Sequence, residues 1–196
     1  MAAIRDRSLD VVVLVGSAGG IKPIESVLES LPPNLDAAVL VLVHLTPHHP
    51  SVLAAILARK TALRVKQAEE GDVLEPGHVY VAPPNMHLLV REDGSLRLDH
   101  SPVVHYVRPS ADTLLRSLAE NYGSRCLAVV LSGTGSDGAE GSAAVKLAGG
   151  AVYAQDEATS EHFGMPGAAI GAGSVDAVLA VGLIGQAVID FVATSA

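Results

Sequence analysis

The most constraining stretch of this chain runs from Val11 to Gly20: Val-Val-Val-Leu-Val, then Gly-Ser-Ala-Gly-Gly. An unbroken apolar run, β-branched at every position but Leu14, suits a strand covered on both faces, as in a parallel sheet. The turn leaves Ser17 at the strand end with little around it. Gly16, Ala18, Gly19 and Gly20 allow a tight backbone path and close approach of a substrate. Beyond the turn, Ile21, Ile24, Val27, Leu28 and Leu31 recur at helical spacing. The unit therefore reads strand, glycine-rich turn, helix. Ser17 has three readings here: a nucleophile held on a strand-to-helix turn, part of a phosphate- or dinucleotide-binding turn, or a hydroxyl that caps the helix or fills the turn. The stretch matches neither Gly-x-Gly-x-x-Gly nor Gly-x-x-x-x-Gly-Lys-Ser/Thr. It also departs from Gly-x-Ser-x-Gly, because Val15 stands where the first glycine belongs.

A second buried strand is expected over Ala37–Val43, ending at His44, with Leu45-Thr46-Pro47-His48-His49-Pro50 as the following loop. Ser51 is placed to cap a short helix carrying Leu53, Ile56 and Leu57. The middle of the chain differs: Arg64–Ala68, His78–Ala82, His87–Arg91 and Ser95–Leu98 are short and more alternating. Gly71-Asp72, Pro83-Pro84-Asn85 and Asp93-Gly94 punctuate them, and the last pair of strands reads as a hairpin. From Ser110 the alternation of helix and strand returns: a helix over Ser110–Asn121, a strand over Cys126–Leu131, and a loop from Ser132 to Gly138. A helix carrying Ala143, Ala144, Val145 and Leu147 follows, then a strand at Ala151–Ala154 and a helix over Met165–Ile170. A last strand over Ala177–Val181 and an amphipathic helix over Ile184–Val192 complete the order. It predicts an α/β fold: a doubly wound, mostly parallel sheet with helices on both faces and a short antiparallel edge hairpin.

The 196 residues suit one domain, expected over residues 10–196 after a short lead, residues 1–9. At 49% hydrophobic and 17% charged, the chain has material for a core and too little charge for disorder. Its formal net charge of −8 and lack of a Lys/Arg cluster argue against a nucleic-acid partner. The single Cys126 excludes an internal disulfide and reads as a small buried residue, which fits a reducing cytoplasm. Met1–Asp10 lacks an apolar signal core, and no apolar run approaches about 18 residues, so neither a secretion signal nor membrane insertion is expected.

In open parallel sheets ligands sit outside the carboxyl ends of the strands. Three predicted strands end near Ser17, His44 and the loop holding Asp137. Neighbouring strands lie about 5 Å apart, so a hydroxyl, an imidazole and a carboxylate can meet there as nucleophile, base and orienting group. Imidazole, with an ordinary pKa of about 6.5, can take the serine proton. Backbone N–H groups at Ala18 or Gly19 are candidates for holding an oxyanion. Alternatives stand beside each assignment. His44 can be satisfied by backbone, and Gly-Ser-Asp-Gly is ordinary turn chemistry. Asp36, Asp72 and Asp156 are rival carboxylates, and Thr134 and Ser136 suit a phosphate site. His44, His48 and His49 raise the question of a metal, but their spacing in a proline-rich loop matches no helical ligand pattern.

Seven stretches together resemble the catalytic domain of the CheB-type chemotaxis protein-glutamate methylesterases. They are Gly16-Ser17-Ala18-Gly19-Gly20, Val43-His44-Leu45 with Pro47, Glu70-Gly71-Asp72 through Pro76–Pro83, Arg108-Pro109-Ser110 with Asp112, Leu131–Gly138, Ala154–Ala158 and Phe163–Pro166. The resemblance spans roughly residues 10–192. It implies a triad of Ser17, His44 and Asp137 that hydrolyses glutamate methyl esters on the cytoplasmic helices of chemoreceptors, releasing methanol, with receptor-glutamine deamidation in some members. A hydrolysis run by these three residues needs no cofactor and no metal. Members usually carry an N-terminal receiver domain; with residues 1–9 alone ahead of the first strand, control by a separate regulatory protein is expected. Ala18 stands where the family usually has a hydroxyl residue, Thr134 where Met is common and Val43 where Gln is usual, which bears on substrate choice and rate. Two other readings remain: a non-catalytic or differently targeted signalling module with this fold, and a nucleotide-binding protein using the two glycine-rich loops.

Overall fold

A computed structural model of the protein describes residues 9–45 and 51–195. Seven strands form one parallel sheet: β1 (Asp10–Gly16), β2 (Ala37–Val43), β3 (Arg64–Gln67), β4 (His78–Val81), β7 (Cys126–Val130), β8 (Ala151–Gln155) and β9 (Ala177–Leu179), in the order β3-β4-β2-β1-β7-β8-β9. Every residue of β1, β2 and β7 is buried. The reason is two-sided cover. Val11, Val13 and Val15 enter one core with Leu114, Leu115 and Leu118 of α3 (Ala111–Tyr122), Val145 of α4 (Ala139–Leu147) and Met165 of α5 (Gly164–Gly171). Val12 and Leu14 enter the other with Ile24, Val27 and Leu28 of α1 (Ile21–Ser30), Leu53 and Leu57 of α2 (Leu53–Leu57), and Ile184 and Val188 of α6 (Val181–Ser195). An unbroken apolar strand is what a sheet with helices on both faces requires.

The expected hairpin forms from β5 (His87–Val90) and β6 (Leu96–Asp99), antiparallel, but as its own two-stranded sheet instead of on the edge of the parallel one. Leu88 and Val90 are buried beneath α3, and α3 satisfies the outer side of β5 with side chains: Val90 N–H donates to Ser117 Oγ (3.1 Å) and Asn121 Nδ2 donates to the Val90 carbonyl (3.1 Å). A strand edge covered by a helix does not need a strand partner. The two other short strands of the middle region, β3 and β4, extend the parallel sheet beyond β2. Cys126 is fully buried, and burial pushes its thiol up to about 12, so it stays a protonated core residue. Among the described residues no helix is long and apolar enough to cross a membrane.

From β1 the chain moves to β2 on one side, and later returns to place β7 on the other. The carboxyl end of β1 is thus the point where the winding reverses, where such sheets open a crevice. Ser17 follows β1 at that point, its N–H donating to the Ser132 carbonyl just past β7 (3.0 Å).

Candidate active site

Register sets the first pair. Gly16 of β1 lies opposite Val43 of β2, and the His44 N–H continues the ladder to the Gly16 carbonyl (3.3 Å). Ser17 and His44 therefore follow adjacent parallel strands side by side. Both line a cleft of about 490 Å³, together with Ala18, Gly19, Ile21, Lys22, Val43, Leu45 and Glu161. The Ser17 hydroxyl does not cap α1: Gly20 occupies the cap position, with no side-chain cap bond, and donates its N–H to the Ser17 carbonyl (3.0 Å).

Asp137 reaches His44 from the loop after β7, with Oδ2 2.8 Å from Nε2. This carboxylate is 4% exposed and firmly held. Its Oδ1 accepts from Ser110 Oγ (2.8 Å) and the Asp112 N–H (3.1 Å), and its Oδ2 also accepts from the Ala111 N–H (2.6 Å). These donors are the N-terminus of α3, whose dipole also favours an anion. Burial alone would push the Asp137 carboxyl up, but the hydrogen bonds from His44, Ala111, Asp112 and Ser110 outweigh it and hold the group below its ordinary range. An ionised carboxylate only accepts, so the bond to Asp137 places an N–H on Nε2 of His44.

Three residues without an assigned role in the sequence turn out to support this pair. Asp112 returns the favour that α3 does for Asp137: its Oδ1 accepts from the N–H groups of Gly138 (3.0 Å) and Gly141 (2.7 Å), so the starts of α3 and α4 exchange carboxylates. Ser110 caps α3 toward the Thr113 N–H (3.4 Å) while donating to Asp137. His87, fully buried, accepts the Ser110 N–H at Nδ1 (3.1 Å), with its Nε2 3.1 Å from the Pro102 carbonyl. Nothing in the spacing of Ser110 and Asp112 shows that this carboxylate crosses to another helix. Arg108 ties the segment before α3 to Asn85, with Nη2 2.7 Å from Oδ1, and both border a smaller hollow of about 150 Å³ beside His44.

The rival residues lie elsewhere. Asp36 is exposed ahead of β2, at the opposite end of that strand. Asp72 pairs with Lys66 (2.8 Å), and Asp156 accepts the Thr159 N–H (3.0 Å). Thr134 and Ser136 are exposed, but the Gly138 and Gly141 amides at the start of α4 are already taken by Asp112, which leaves a phosphate little to bind. Pro47, His48 and His49 fall outside the described residues.

Gly20 is the point at which the turn tolerates no side chain. A Cβ there would lie 2.8 Å from the Ser132 carbonyl oxygen and 2.9 Å from the Ser17 nitrogen, both rigid backbone. Gly20→Ala is expected to destabilise the protein by about 1–3 kcal/mol, seen as a lower denaturation midpoint at unchanged m-value. An unaltered midpoint would mean that the turn repacks.

The winding of the sheet and the cleft at its switch point define a doubly wound α/β protein whose cleft lies outside the carboxyl ends of the strands. Residues 12–188 match the CheB methylesterase family, and the chain belongs to that family. It is 44% identical over 186 residues to a protein-glutamate methylesterase/protein-glutamine glutaminase of Anaeromyxobacter dehalogenans, covering 95% of this chain and 54% of that protein. It is 41% identical to the protein-glutamate methylesterase FrzG of Myxococcus xanthus, covering 92% of this chain and 54% of that one. The chain thus spans about half the length of the curated relatives it matches. The crystal structure of the Thermotoga maritima CheB methylesterase catalytic domain superposes with a TM-score of 0.89 at 37% identity, covering 93% of this chain and 98% of that one.

Proposed function

We propose that this protein is a cytoplasmic serine esterase that removes methyl groups from glutamate residues on the cytoplasmic helices of chemoreceptors, with residues 10–196 as its catalytic domain. The observation that carries the reading is the 2.8 Å pair of His44 and Asp137 beside Ser17 at the switch point of the sheet. In this reading Ser17 Oγ attacks the ester carbonyl carbon as its proton passes to Nδ1 of His44. The amides of Ala18 and Gly19 face the oxyanion; those of Ser17 and Gly20 are engaged within the fold. Collapse of the tetrahedral intermediate breaks the C–O bond, and His44 returns the proton to the departing methoxide, giving methanol. A water, deprotonated by His44, then releases glutamate and restores Ser17. Asp137 stays ionised throughout, orienting the ring and stabilising the imidazolium. The activity for which the relatives are named, protein-glutamate methylesterase, supports the substrate class.

Deamidation is a second reading, favoured by the name protein-glutamine glutaminase carried by the Anaeromyxobacter relative. It uses the same acyl chemistry with ammonia as the leaving group. The test is volatile methanol released from chemoreceptor cytoplasmic fragments bearing labelled methyl esters, with ammonia followed in parallel from fragments carrying glutamine at the same positions. Time-dependent methanol release is expected. A folded chain that releases none from any receptor fragment would sink the esterase reading and favour a non-catalytic or differently targeted module.

A further inference from the structure

We propose that His105, Asp112 and Glu140 form a binding site for one divalent cation of the zinc class, on the far side of Asp112 from the Gly138 and Gly141 amides. The starting point is an oxygen without a partner. Asp112 is 1% exposed and uses only Oδ1 for those two amides; its Oδ2 is buried with no hydrogen bond. Such an atom calls for a donor or a cation. What faces it is His105, whose Nε2 lies 3.6 Å away, and the same nitrogen is 3.8 Å from Glu140 Oε1. One ligand atom from each of the three residues falls within 4.8 Å of the others, and among the described residues this is the one such group.

Donor type and geometry both select the ion. One imidazole and two carboxylates suit zinc and its neighbours, whereas magnesium and calcium prefer oxygen throughout. Ligands bound at about 2.1 Å in a tetrahedron lie about 3.4 Å apart, so the cluster needs a modest contraction. Asp112 is the fixed member, oriented by the amides on Oδ1, which is the support a metal ligand ordinarily has. His105 and Glu140 are exposed and can close. Glu140 also holds Arg116, but through Oε2, leaving Oε1 for the ion. His105 is presented by a tight turn in which it and Tyr106 adopt φ of 48° and 66°, closed by hydrogen bonds between Val104 and Val107. Three protein ligands leave room for water on the solvent side. The proposed ester hydrolysis uses no metal; the ion would lock the exchange of carboxylates between α3 and α4.

The test is calorimetric titration of the whole chain with Zn²⁺ alone, with thermal unfolding as a second readout. Binding of one ion is expected, weakened at least tenfold in His105→Gly, which accommodates the positive φ, and several-fold in Glu140→Gln. Magnesium should not compete, and zinc should raise the Tm of the wild type but not of His105→Gly. Equal binding by wild type and His105→Gly, or no binding by the wild type, overturns the site. No substrate is involved, so that result leaves the esterase reading standing.

Discussion

Methanol release is expected to fall about 10⁴-fold or more in Ser17→Ala, while the denaturation midpoint moves little. The substitution removes one half-buried hydroxyl from the wall of a cleft, a change ordinarily worth under about 0.5 kcal/mol. Nothing nearby can stand in for it. The Ser132 hydroxyl donates to the Ala18 carbonyl (3.0 Å) and accepts the His162 N–H (3.0 Å), so it serves the turn. Thr134 and Ser136 are exposed on the neighbouring loop. Methanol production by wild type and variant, at matched folded concentration, decides the matter. A rate within tenfold of wild type would remove Ser17 from the mechanism and point to His44 activating water directly.

Asp137→Asn is expected to lower kcat by about 10³–10⁴-fold and, unlike Ser17→Ala, to destabilise the fold. Four donors converge on this carboxylate: Ser110 Oγ, the N–H groups of Ala111 and Asp112, and His44 Nε2. An amide offers one oxygen. Whichever way it turns, its NH₂ faces donors, leaving at least one buried N–H unpaired at about 1–3 kcal/mol. If the NH₂ faces His44, the ring accepts at Nε2 and carries its proton on Nδ1, the nitrogen that must take the serine proton. Kinetics and denaturant melts on the same sample test both halves. Full activity in a stable Asp137→Asn protein would show that the carboxylate neither orients nor charges the imidazole.

The parts of this molecule that were legible in the sequence are those where one physical demand dominates. Val11–Val15 and Ala37–Val43 are apolar on both faces, and their short length, β-branched content and flanking turn residues favour a buried strand over a helix. The helix from Ser110 announced itself by Leu114, Leu115 and Leu118 at helical spacing. The middle strands were harder. Alternation in Arg64–Ala68 and His78–Ala82 reports one-sided or edge exposure and says nothing of direction, and β3 and β4 pair parallel. The hairpin was correct in its pairing, but its place depended on Ser117 and Asn121 of α3, which carry no mark of an edge-covering role. Ser17, His44 and Asp137 stood out by residue type at strand ends. Asp112 and His87 did not, because their value lies in which amides they meet, a matter of helix packing and not of spacing.

The placement of β1 between β2 and β7 also sets when the cleft is complete. During synthesis, the first third of the chain can bring the serine and the imidazole together by pairing β1 with β2. The carboxylate that orients the imidazole lies 93 residues farther along, beyond β7 and after the start of α3 that cradles it. A nascent chain on the ribosome therefore carries a hydroxyl and a base without their third member. If the proposed function holds, prematurely terminated products ending before residue 137 are expected to be inert toward esters, because the second half of the sheet supplies the carboxylate.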